Sequence, residues 1–101
     1  MAVGHIVSVD YVAESDKLLN LTIDVGEEQP RTSLSGISKH YTPEELTGRR
    51  CVIVANLKPR KMLGIESNGM VVCATYTDES GEEVVRVIEP PADVPVGSLL
   101  S

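Results

Sequence analysis

The stretch Cys51-Val52-Ile53-Val54-Ala55-Asn56-Leu57-Lys58-Pro59-Arg60-Lys61-Met62-Leu63-Gly64-Ile65-Glu66-Ser67-Asn68-Gly69-Met70-Val71-Val72-Cys73-Ala74-Thr75-Tyr76 sets a cationic loop between two nearly continuous apolar runs. The runs, Cys51 to Leu57 and Gly69 to Tyr76, are too short for independent helices and are bounded by turn chemistry, so both read as central strands. Between Thr47 and Ile65 stand Arg49, Arg50, Lys58, Arg60 and Lys61 and no carboxylate, although the whole chain has a formal net charge of -6. Charge is therefore segregated, and the basic part sits around a loop.

Upstream, Leu19, Leu21, Ile23 and Val25 alternate with Asn20, Thr22 and Asp24, the pattern of a half-buried strand. Ile6 to Tyr11 alternates too, with Val7, Val9 and Tyr11 expected on one face, and Ala13 to Asp16 supplies a turn, so the first two elements read as an antiparallel pair. After the breakers Gly26 to Pro30, Arg31 to Ile37 is a weaker, Ser- and Thr-rich strand. Thr42-Pro43-Glu44-Glu45-Leu46 has a capping threonine, a proline at the first helical position and a glutamate placed to close a capping box, which predicts one short helix ended by Gly48. Val84 to Ile88 is a further strand, and Pro90-Pro91 opens an extended tail that can pack along the fold. This order predicts an all-β, five-stranded Greek-key OB-fold barrel with a short helix between strands 3 and 4. In that fold the loop between strands four and five binds oligonucleotides, and the cationic run occupies it.

The chain has 101 residues, which suits one domain covering 1-101. An uninterrupted apolar run such as Cys51 to Ala55, which no other run exceeds, is far too short to span a membrane, and no secretory signal is visible at Met1-Ala2-Val3-Gly4-His5, so a cytoplasmic protein is expected. Cys51 and Cys73 each lie inside an apolar run and read as buried free thiols. His5 and His40 are isolated and no metal-ligand spacing occurs, so neither a metal nor another cofactor is expected. The sequence has no G-x-S-x-G, no Walker-type glycine loop and no H-E-x-x-H, and its acidic pairs fall in turns or at the helix start. The domain is expected not to be an enzyme.

Single-strand binders stack bases on aromatic rings at about 1–3 kcal/mol per base. This chain has no Phe or Trp and only Tyr11, Tyr41 and Tyr76. Recognition through Lys, Arg, Asn and Ser reads phosphates, sugars and shape, which points to a folded RNA. Lys58, Arg60 and Lys61 can neutralise phosphates, with Pro59 restricting the backbone that carries them. Asn56 either offers its amide to the ligand or bonds its own turn, Ser67 either donates to a phosphate or caps the turn, and Met70 either packs under a base or belongs to the core.

The run A-N-L-K-P-R-K-M-x-G-I-x-S-x-G-M followed by V-V-C-A-T closely resembles the tRNA-binding OB domain associated with methionyl-tRNA synthetases, endothelial monocyte-activating polypeptide II and free-standing tRNA-binding proteins. Asp16-Lys17-Leu18, Ile23 to Gly26, Ser35-Gly36-Ile37, Tyr41 to Leu46 and Gly48-Arg49 extend the likeness over nearly the whole chain. The resemblance implies the fold, tRNA binding without catalysis, and action in trans or as an appended domain for a synthetase, the methionyl enzyme foremost. It carries Asn56, Lys58, Arg60, Lys61, Ser67 and Met70 over as RNA-contacting residues, and it implies tRNA and a methionyl-tRNA or other synthetase as partners. Some members pair, so a homodimer is one implied state, although the start at Met1-Ala2-Val3-Gly4 lacks residues that precede the first strand in other members. Leu63 stands where eukaryotic relatives often have arginine, which removes one phosphate contact. A secretion-related chaperone family shares the barrel and a Y-x-P-E-x-L-x-G type helix. The alternative is thus a chaperone-like or protein-interaction OB module whose basic loop meets an acidic peptide.

Overall fold

The computed structural model describes residues 1–55, 58–62 and 64–100. Three strands form a meander: β1 (Ala2–Tyr11), β2 (Leu19–Asp24) and β3 (Arg31–Ser35). A helical turn, α1 (Pro43–Leu46), leads into β4 (Arg50–Val54), which returns to pair antiparallel with the free side of β1 through Ala2↔Ile53 to His5↔Arg50. Then follow β5 (Arg60–Met62), β6 (Ile65–Ser67), β7 (Met70–Val71), β8 (Cys73–Thr77) and β9 (Glu83–Val87). The order β3-β2-β1-β4-β7, all antiparallel, curls into a nearly closed barrel of OB type.

Strand β2 follows its alternation strictly, with Leu19, Leu21 and Ile23 wholly buried. Together with Ile6, Leu46 and Ile53 they fill a core built almost entirely from aliphatic side chains. Strand β1 departs from the sequence expectation. Its register against β2 slips between Ile6 and Ser8, which pair with the consecutive residues Ile23 and Thr22. Val7 is the extra residue of this bulge and is turned out to solvent, while Ile6 and Val9 point inward on either side of it. A bulge reverses the in-out phase and bends the strand, which lets β1 serve β2 along one half and β4 along the other. Tyr11, beyond the core at the strand end, is also exposed.

The helix is present as its chemistry requires. Glu45 N–H donates to Thr42 Oγ1 (3.3 Å) and Thr42 N–H donates to Glu45 Oε1 (3.0 Å), closing the capping box. Such a short element is held by packing rather than propensity: Pro43 and Leu46 are buried, and the hydroxyl of the buried Tyr41 accepts a hydrogen bond from Val87 N–H.

The second apolar run does not form one central strand. Met70–Val71 pair with β4, Val72 N–H still donates to Val52 O, and Val72 O then accepts from Ile88 N–H. Val72 is thus the handover point, after which Cys73–Thr77 leaves β4 and forms a hairpin with β9. The side chains explain the change, because Ala74, Thr75 and Tyr76 are exposed and have no core to enter.

The tail packs along β1, as its composition allows. Val3 N–H donates to Ser98 O, Gly97 N–H to Val3 O and Leu100 N–H to Met1 O. Gly97 has φ of 90°, and a Cβ there would come within 2.9 Å of Val25 O. Replacing Gly97 by Ala should therefore cost about 2 kcal/mol or more and release the tail, which a lowered thermal midpoint together with faster amide exchange at Val3 would register. Ser33, 1% exposed on β3, has a hydroxyl without a hydrogen-bond partner among the described residues. Ser33→Ala should leave stability unchanged or raise it by up to about 1 kcal/mol in denaturant unfolding.

Candidate nucleic-acid interface

The segment from Ala55 to Gly69 is more ordered than a simple connecting loop. Its β5 and β6 form a hairpin with Arg60↔Ser67, Lys61↔Glu66 and Met62↔Ile65 opposed, turned at Gly64 with φ of 77°. Directly opposed residues share a face and neighbours along a strand point oppositely. Arg60 therefore lies on the Ser67 side of the hairpin and Lys61 on the other. Lys58, Arg60 and Lys61 are all exposed. The ion pairs among the described residues, Arg31 with Glu27 and Arg49 with Glu89, leave these three cations to solvent. Met70, beside the hairpin on β7, is 57% exposed, so its thioether is not part of the core. Asn56 and Leu63 lie outside the described residues.

Arg49 and Arg50, grouped with the loop cations in the sequence, are placed elsewhere and hold the chain after β9. Arg49 pairs with Glu89 at 3.1 Å and lies 5.7 Å from the centre of the Tyr41 ring. Arg50 donates to Val94 O. The cationic cluster thus divides into two structural arginines and three loop cations.

Ser67 faces inward to β3. Its Oγ accepts from Leu34 N–H (3.3 Å), with Thr32 O and Gly69 O at 3.4 and 3.3 Å as acceptors for its own proton. The neighbouring Asn68 completes the seam: its N–H donates to Thr32 O (2.9 Å) and its Oδ1 accepts from Thr32 N–H (2.8 Å). Asn68 acts there as a strand partner through one backbone and one side-chain group.

Arg31, at the start of β3, reaches the same place. Its Nη1 donates to Ala55 O (2.6 Å) and Asn68 O (2.8 Å), while Nε and Nη2 donate to the two carboxylate oxygens of Glu27 (2.7 and 3.1 Å). The hydrogen bond from Arg31 holds the Glu27 carboxyl below the usual carboxylate range, so Glu27 is charged at neutral pH. Glu27, Pro30, Arg31, Ala55, Pro59 and Asn68 border an open cleft of about 590 Å³ between the β2–β3 turn and the base of the hairpin. Neither Arg31 nor Asn68 was found by sequence reasoning. The only local signal was Glu27 four residues before Arg31, and the other partners are remote in sequence.

Burial pushes the Cys51 thiol up to about 12 and raises Cys73 as well, so both are protonated at neutral pH, and both are free cysteines. Among the described residues no group of three His, Cys, Asp or Glu side chains is placed to hold a metal ion, and no helix is long and apolar enough to cross a membrane.

Residues 1–99 match the sequence profile of the family described as "Putative tRNA binding domain". The chain belongs to this tRNA-binding domain family. It is 45% identical over 100 residues to a methionine–tRNA ligase of Methanococcus aeolicus and 48% identical over 95 residues to one of Myxococcus xanthus. These alignments cover 99% and 94% of the chain but only 14% and 13% of the ligases. Two solved structures superpose along its length. A MetRS related protein from Pyrococcus horikoshii gives a TM-score of 0.82 at 38% identity, over 96% of this chain and 84% of that one. The chaperone CsaA from Bacillus anthracis gives 0.81 at 28% identity, over 99% and 88%. The family is a tRNA-binding domain rather than a catalytic one, and the barrel here is of the same kind.

The geometry separates two roles within the motif. Ser67→Ala and Asn68→Ala remove bonds of the β3 seam, and each should lower unfolding free energy by about 1–3 kcal/mol. Met70→Ala removes an exposed side chain and should change it by no more than about 0.5 kcal/mol. Denaturant midpoints of the three variants would compare them directly.

Proposed function

We propose that residues 1–101 act as one tRNA-binding module in which the β5–β6 hairpin is the principal contact, and that it serves an aminoacyl-tRNA synthetase, the methionyl enzyme foremost, either in trans or as an appended domain. The observation that carries this reading is the placement of Lys58, Arg60 and Lys61: all exposed, none paired with a carboxylate among the described residues, and Arg60 and Lys61 directed to opposite faces of one hairpin. Exposed cations on a projecting hairpin, with no aromatic ring among them, suit phosphates presented by a folded RNA. Met70 adds an exposed apolar surface beside them for a sugar or base. Asn56 belongs to the same proposal by its position in the motif, whereas the Ser67 hydroxyl contributes chiefly by holding the hairpin to β3. The module performs no reaction. Its effect is to raise the concentration of tRNA near a partner that does.

The likeness to the chaperone CsaA favours a second reading, binding of polypeptide at the open cleft beside the hairpin. Competition between tRNA and an unfolded polypeptide for the protein separates the two.

If three cations neutralise phosphates, the slope of log affinity against log salt should be roughly -2 to -3. Replacing Lys58, Arg60 and Lys61 together by Ala should abolish measurable tRNA binding with little change in thermal midpoint. Salt-independent binding, or a triple variant that binds as well as the parent, would defeat the proposal.

A further inference from the structure

We propose that Arg31 is the positioning residue of the RNA-binding hairpin, tying both of its roots to the β2–β3 turn so that the loop cations meet tRNA from a fixed base. The inference rests on the reading of the hairpin as the RNA contact.

Ala55 is the residue by which the chain enters the loop and Asn68 one by which it leaves. A single nitrogen, Nη1 of Arg31, donates to both carbonyls, at 2.6 and 2.8 Å. The opposite edge of the guanidinium is gripped by Glu27 in a two-pronged carboxylate pair. The planar fork is therefore filled on both sides, and its net charge is balanced by Glu27. Arg31 has little left to offer a phosphate and acts through the hairpin rather than on the ligand. The arrangement also needs arginine specifically, since a lysine ammonium on its flexible stem cannot span two carbonyls and a carboxylate in one plane. The exit root has further ties, the bonds of Ser67 and Asn68 to β3, but Ala55 O at the entry root is held by Arg31. Losing Arg31 would remove the tie at Ala55 O, the first residue past the last β4–β7 pair Val54↔Met70, while the exit root stayed in place. Ordering the hairpin would then fall to RNA binding itself, which lowers affinity without altering which phosphates are contacted.

The test titrates bulk tRNA at several salt concentrations into the parent protein, R31K, E27Q and the Lys58, Arg60, Lys61 triple Ala variant, with amide hydrogen exchange followed in each. R31K should weaken binding about tenfold with an unchanged salt slope, and exchange should quicken in the hairpin while the β1–β2 amides keep their protection. E27Q keeps both carbonyl bonds but loosens the fork, and should weaken binding about threefold with a smaller effect on hairpin exchange. Should R31K fail to fold, E27Q decides, and parent-like affinity and exchange in it would overturn the proposal. Parent-like binding by a folded R31K, with the triple variant inactive, overturns the proposal and leaves the hairpin reading intact. A further variant, R31Q, removes the charge, and a salt slope in it shallower than the parent's by roughly 0.7–0.9 also overturns the proposal, because Arg31 would then be touching phosphate itself. If the triple variant binds like the parent, the hairpin reading fails and the positioning role falls with it.

Discussion

The seam between β3 and the chain at Ser67-Asn68 decides whether this sheet is a barrel. The named strand pairs of the sheet are backbone ladders, but here the joint is made by Asn68, which uses a side-chain oxygen where a strand would use a carbonyl, and by the Ser67 hydroxyl. Backbone groups of β3 that would otherwise stand open at a sheet edge are satisfied in this way. The same two residues end the hairpin that carries the loop cations. Closing the barrel and orienting the hairpin are one event, and Arg31 extends it to the hairpin's other root.

This coupling gives the motif residues two kinds of work. Lys58, Arg60, Lys61 and Met70 project from the barrel and are free to meet a ligand. Ser67, Asn68 and Arg31 face the barrel and set where those side chains stand. A residue pattern that is contiguous in the sequence is thus split between contact and support. Support is supplied partly by a residue, Arg31, that lies outside the pattern.

Local rules made much of the fold legible. Strand β2 could be read from its alternation, and the helix from Thr42, Pro43 and Glu45, because those signals lie within a few residues of one another. The basic loop is legible from its cations, its proline and its glycines, set between two apolar runs. What escaped has one physical cause, interactions between distant segments. The bulge at Val7 exists because β1 must bend between β2 and β4, and its own sequence reads as an uninterrupted strand. The break at Val72 depends on β9 being available as a new partner. Arg31 and Asn68 look like a strand start and a turn residue until the segments they join are brought together. Arg49 and Arg50 show the converse, since counting charges along the chain could not reveal that they anchor the tail.

That removal of two arginines from the cationic group gives the molecule a polarity. Exposed cations also stand elsewhere, at Lys17, Lys39 and Arg86, but carboxylates outnumber them over the rest of the barrel, whereas Lys58, Arg60 and Lys61 stand together at the hairpin. A polyanion approaching the acidic body is repelled, while one approaching the hairpin is drawn in, so unproductive encounters separate before they settle. If the hairpin is the RNA contact proposed above, the acidic surface is part of the recognition apparatus. On the proposed reading it aligns the folded RNA before any contact forms, because its field extends beyond the reach of the hairpin side chains.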